Sequence, residues 1–215
     1  MNNKLFSIKE AIKAGWEKAK GNVGSFFLIL VGSWIISAII GAFSAGAKDK
    51  PALAMLITLL SWLVGIFLQM GIFRVALKVL DGGKAAMADF ALNPEQFGKF
   101  LLGAIFYSII TGVGFVLLII PGIIWGIRLQ FIPYLIIEKN LNPMDALKRS
   151  WDITRNQTWN LFLFGLVGFL VSLLGFIALI IGLFWAIPTI IIAVAFVYRK
   201  LDRAVGVTTA QPEAV

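Results

Sequence analysis

The sequence predicts an all-α, polytopic membrane protein, and two observations carry the prediction. Sixty per cent of its 215 residues are hydrophobic and only 14% are charged, whereas soluble domains average about 25% charged. The apolar residues fall in continuous runs of roughly 20, the length that crosses a hydrocarbon core as a helix. A chain this short cannot bury such an excess in its own core, so lipid must solvate it.

The first element is amphipathic. Ser7 and Glu10 have capping-box spacing, and Leu5, Ile8, Ile12, Trp16 and Ala19 share one stripe on a helical wheel. Lys9, Lys13, Glu17 and Lys20 lie beside it. A helix over Lys4–Lys20 is too short and too charged to span. It reads as interfacial, with Trp16 at headgroup depth and Lys13 near anionic lipid. The same stripe also suits packing on the protein's own bundle, and both readings stand at this level. Lys18 and Lys20 run straight into a long span, so no secretory signal is expected.

Six spans follow, at about 23–45, 52–73, 100–120, 121–137, 161–181 and 183–198. The fourth and sixth are short and adjoin their predecessors at Pro121-Gly122 and near Gly182, which predicts tight hairpins. Asn93-Pro94-Glu95 and Asn142-Pro143-Met144-Asp145 read as helix starts, with Asn as cap and Pro in the first turn. The second of these opens a helix over Pro143–Arg155. Met144, Leu147, Trp151 and Thr154 form its stripe, beside Lys148 and Asp152, with Ile153 off it. Trp151, Lys148 and Arg149 are expected at the interface. Residues 1–203 form one transmembrane domain, and 204–215 read as a disordered tail.

Residues 7–28 align on 142–163 at a constant offset of 135. Ala11 meets Ala146, Lys13 meets Lys148, Trp16 meets Trp151, and Phe27-Leu28 meets Phe162-Leu163. An internal repeat is therefore expected. The segment from Asn93 echoes it weakly, which gives a plan of three units, each a short helix leading into a hairpin.

Charge sets the orientation. Sixteen of the exposed Lys and Arg precede span one, lie between spans two and three or four and five, or follow span six. Only Lys48 and Lys50 lie on the other side. The positive-inside rule puts both termini in the cytoplasm. The net charge of +8 then faces the anionic inner leaflet. No basic folded domain is present to take nucleic acid.

Chemistry is sparse. The chain has no His and no Cys, which excludes imidazole bases, thiolate nucleophiles and zinc sites built on them. No carboxylate falls within a long apolar run. Asp81-Gly82-Gly83-Lys84 lacks the spacing of a phosphate loop. No catalytic residue, metal or cofactor is expected, and the chain does not read as an enzyme. Arg128 is the one cation inside a span. Taking Glu138 as the interface, it lies ~15 Å deep. A charge there is costly and faces the bundle or a wet cavity. Gln130 and Gln69 are its expected polar neighbours, with Ser108 or Thr111. The group either holds an anion such as a lipid phosphate or snorkels to water.

Ile120-Pro121-Gly122-Ile123-Ile124, Arg128, Pro133, Ile136-Ile137-Glu138 and Asn142-Pro143 with Ala146-Leu147-Lys148-Arg149-Ser150-Trp151 carry a further signal. So does Leu80-Asp81-Gly82-Gly83 through Asp89-Phe90 to Phe97. These stretches resemble the YciC-like integral membrane proteins and the membrane domain attached to some glycerophosphodiester phosphodiesterases. The resemblance implies a six-helix bacterial inner-membrane protein, multi-pass and without the phosphodiesterase's soluble catalytic domain. The expected function is non-catalytic: binding or organising lipid or a membrane partner, a second copy included. The alternative is a small transporter or channel for an anionic or amphipathic solute that uses Arg128.

Overall fold

The computed structural model describes residues 5–47, 49–177 and 182–209. Among these the fold is all-α, with no strand. The elements are α1 (Ile8–Lys20), α2 (Val23–Gly46), α3 (Pro51–Leu80), a 3-10 turn (Met87–Phe90), α4 (Pro94–Leu117), α5 (Ile119–Leu129), α6 (Ile132–Lys139), α7 (Pro143–Ile153), α8 (Thr158–Ile177) and α9 (Leu183–Thr209). Six segments are long and apolar enough to cross a membrane, the fourth being α5 and α6 in succession.

Several boundaries move for physical reasons. The break after α4 falls at Leu118, which is extended (φ −164°, ψ 151°), and not at Pro121-Gly122. Pro121 sits in the first turn of α5, where its missing N–H costs nothing. The fourth span is broken a second time between Leu129 and Ile132. Pro133 has no N–H, and its ring would strike the Leu129 carbonyl of a continuous helix. α3 runs past residue 73 to Leu80 and ends in a turn where Gly82 takes φ +88°, a conformation that favours glycine. α4 and α8 start earlier than the apolar runs do. α9 continues through residues 199–209, into the segment expected as tail; residues 210–215 lie outside those described, as do Lys4 and Lys48. Of the three expected caps only Asn93 makes its side-chain bond, accepting from the Gln96 N–H at 3.1 Å. Ser7 and Asn142 occupy cap positions without one.

Three units recur around the molecule, and each closes on a long or broken helix: α3, α6 and α9. These three meet in an aromatic centre. The Phe73 and Tyr134 rings lie 4.8 Å apart, and Tyr134 stacks on Tyr198 at 5.2 Å. Each unit's lead segment then packs on the closing helix of the unit before it. The 3-10 turn lays Phe90 against Gly71 of α3. The α7 hydroxyl of Ser150 accepts the Phe131 N–H at the head of α6 (3.3 Å) and donates to the Arg128 carbonyl (2.7 Å). α1 lies antiparallel along α9, tied by Glu10 to Lys200 (3.0 Å) at one end and by Trp16 on Trp185 (5.3 Å) at the other.

The buried core gathers around these closing helices, at the end where Lys and Arg collect. Met70, Phe100, Phe131, Tyr134, Ile136, Tyr198 and Leu201 are all essentially inaccessible. Much of α2 and the far ends of α4 and α8 are bare: Trp34, midway along α2, is 83% exposed and Val116 88%. Exposed apolar surface on this scale is stable in lipid and not in water.

Candidate functional site

The basic end of the bundle holds most of the ionisable side chains. The carboxylates at the ends of the closing helices are engaged internally. Asp81, after α3, accepts both terminal nitrogens of Arg199, with Nη2 at 2.8 Å. Arg199 also reaches Glu138 at the end of α6 (2.8 Å). Asp202 on α9 accepts from Lys139 (2.5 Å) and from Arg149 of α7 (3.0 Å). The hydrogen bonds from Arg199 hold the Asp81 carboxyl below the usual carboxylate range. Asp89 takes Lys78 at 2.7 Å, and Glu95 takes Lys99 at 2.8 Å. These links join α3, α6, α7 and α9 into one ionic collar.

The collar consumes the acids and leaves cations over. At this end, among the described residues, Lys9, Lys18, Lys20, Lys84, Lys148, Arg155 and Arg203 are exposed and make no ion pair, and Asp145 and Asp152 are the unpaired acids. Lys20 instead lies over the Trp16 ring, 5.3 Å from its centroid. Among the described residues no three acidic side chains gather where a metal ion would bind.

Arg128 is half-buried and makes three internal contacts. Its Nη2 donates to the Arg155 carbonyl (3.1 Å), its Nε to the Thr158 hydroxyl (3.3 Å), and the guanidinium lies over Trp151, 4.3 Å from the ring centroid. The Arg155 carbonyl follows the end of α7, where the helix dipole favours a cation. Gln69, Ser108 and Thr111, the neighbours expected from the sequence, are not its partners. Gln69 and Gln130 line a separate cavity of about 320 Å³ with Ser108, Tyr107 and Pro133. The three residues Arg128, Gln130 and Gln69 thus do not form one site.

Among the expected interfacial residues, Lys148 is exposed on α7, whereas Arg149 turns inward to Asp202. Trp151 packs against the core as the platform for Arg128. Trp16 and Lys13 border an apolar groove between α1, α8 and α9.

The amphipathic stripes differ from the wheel reading in one respect. The faces that dock are the small ones. Ala11, Gly15 and Ala19 are the buried residues of α1, and a Cβ at Gly15 would strike the Thr189 carbonyl on α9. Ala146, Ser150 and Ile153 are the buried residues of α7, with Thr154 also inaccessible, and Met144 is exposed. At the offset of 135, Ala11, Gly15 and Ala19 fall on Ala146, Ser150 and Thr154. Positions paired at that offset are thus buried in both helices.

Sequence reasoning missed Arg199, Asp202 and Gly15. A signal for the first two was present. Leu80-Asp81, Ile137-Glu138 and Leu201-Asp202 each place an acid just past an apolar run.

A family model described as Domain of unknown function (DUF7847) matches residues 56–212, most of the chain. The protein belongs to the DUF7847 family. That match covers the ionic collar, Arg128 and all of α4 to α9. Curated relatives of this DUF7847 member include the uncharacterized proteins Rv2560 of Mycobacterium tuberculosis and Mb2590 of Mycobacterium bovis. Each is 25% identical over 147 residues, 68% of this chain and 45% of the relative. The chain thus spans under half the length of the curated relatives it matches. No solved structure matches it. The comparisons support a multi-pass membrane protein of a family without assigned function, and none of them points to the YciC-like or phosphodiesterase-linked proteins.

Proposed function

We propose that this protein is a non-catalytic component of a bacterial inner membrane, with both termini cytoplasmic, that holds anionic lipid against its basic end. The observation that supports this reading is the surplus of unpaired cations. The collar takes up the acids, and Lys9, Lys84, Lys148 and Arg155 remain free to meet headgroup phosphates. Each such cation contributes roughly 1 kcal/mol of attraction to an anionic surface. The YciC-like resemblance agrees with this placement and assigns no reaction. A transport role would draw on Arg128, but its Nε, one Nη2 donor and its aromatic-facing side are engaged within the protein.

The test is lipid selection. The full chain, purified from a membrane of mixed phosphatidylethanolamine and phosphatidylglycerol, is expected to retain phosphatidylglycerol above its bulk fraction, with the excess falling as salt rises. Retained lipid that mirrors the bulk composition would reject the reading.

A further inference from the structure

We infer that the groove between α1, α8 and α9 is a binding site for a single anionic phospholipid; this rests on the lipid-holding reading above and gives it an address. The groove encloses about 1010 Å³ and is lined almost entirely by apolar atoms. Ile12 and Trp16 of α1 form one wall, Val171 and Leu174 of α8 the other, and Trp185 and Ala186 of α9 the floor. One end is closed. The Asn160 amide donates to the Phe6 carbonyl (3.2 Å), and the Phe6 and Phe164 rings meet edge to face at 6.0 Å, fastening the start of α1 to the start of α8.

The division of labour on α1 explains why the groove exists. Its small residues Ala11, Gly15 and Ala19 are spent on docking to α9. Its large ones, Ile12 and Trp16, are left facing the groove, and Trp16 remains 41% exposed. Among the described residues no side chain fills the space between them and α8. An acyl chain suits such a space, because apolar walls offer it dispersion contacts and ask for no hydrogen bond.

Charge selects the headgroup. Lys9 and Lys13 both border the groove. Lys9 has no ion pair among the described residues, and Lys13 has only a long, fully exposed contact to Glu17 at 3.8 Å. No carboxylate lines the groove. A zwitterionic headgroup would bring its own cation up against these two lysines. An anionic phosphodiester would meet both with charge-assisted hydrogen bonds.

The experiment uses the full chain in nanodiscs of phosphatidylcholine with a minority of phosphatidylglycerol, followed by native mass spectrometry. Wild type is expected to carry one phosphatidylglycerol that resists exchange. Lys9→Gln with Lys13→Gln, both on the exposed face of α1, should lower that retention roughly tenfold, the loss of about 1.4 kcal/mol. Val171→Trp should fill the groove and displace either lipid. Lys84→Gln with Lys148→Gln, away from the groove, should lower the readily exchanged phosphatidylglycerol excess and leave the one slowly exchanging lipid in place. Equal retention in wild type, the Lys9/Lys13 variant and Val171→Trp overturns the site. If only the Lys84/Lys148 variant loses the excess, the broader lipid reading survives and the groove does not. If wild type shows no preference at all, both fail. A wild-type dimer that Val171→Trp dissociates would assign the groove to a second copy and also overturn the proposal.

Discussion

The guanidinium of Arg128 lies 4.3 Å from the centroid of the Trp151 ring while donating to the Arg155 carbonyl. A residue at the end of α5 thereby pins the turn between α7 and α8. Arg128→Met removes both contacts, and Arg128→Lys keeps the charge but loses the planar face that stacks. Each should destabilise the protein by about 2 kcal/mol, read as a lower melting temperature in detergent. Retained anionic lipid should be unchanged. Lost phosphatidylglycerol with unaltered melting would return Arg128 to a ligand role.

Gly15 is the closest point between α1 and α9. Gly15→Leu forces a side chain onto the Thr189 carbonyl and Ala193. Overpacking of this kind costs about 1–3 kcal/mol. Here the cheapest relief is release of α1. Tryptic cleavage at Lys13 and Lys18 should accelerate, because both residues are exposed but held in a docked helix. Unchanged cleavage would mean that α1 is not held at this point.

Acid should loosen the collar at Asp81. Its carboxyl is held below the usual range by Arg199, so its contribution is complete above the unfolded value of about 3.9. That contribution is lost as pH falls through the lower folded value. The melting temperature of wild type should exceed that of Asp81→Asn at neutral pH, and the two curves should converge below about pH 4. Asp81 is largely exposed, so the gap is small. A gap that is independent of pH would place the effect of the substitution elsewhere.

Orientation is open to direct test. Reporter fusions at Asp49, Asp89 and the C-terminal end should read outside, inside and inside, following the Lys and Arg asymmetry. A periplasmic signal at Asp89 would invert the scheme.

The helical spans were legible because lipid leaves an unmistakable mark: long apolar runs with charges swept to one side. The repeat was legible through Trp16 and Trp151, Lys13 and Lys148. The docking faces were not. A wheel weights large apolar residues, so it chose Ile12 and Trp16, whereas helices approach most closely where side chains are smallest, at Ala11 and Gly15. The second break at Gln130 was signalled by Pro133 but hidden in an otherwise apolar run. The collar joins Asp81 to Arg199 across 118 positions, and no local pattern encodes such a partner. Arg128 was found as an anomaly, yet its partners, Trp151 and Thr158, lie in two elements, α7 and α8, that depth counting along one helix cannot reach.

The ring of units closes because α1 rests on α9. The ribosome makes α1 well before α9, so α1 has no finished seat while α2 to α8 are being made. Ala11, Gly15 and Ala19 must wait at the membrane surface until Thr189 and Ala193 have emerged. Docking of α1 therefore has to wait for a helix made roughly 170 residues later, and a chain that stalls before α9 leaves its amphipathic α1 unclaimed.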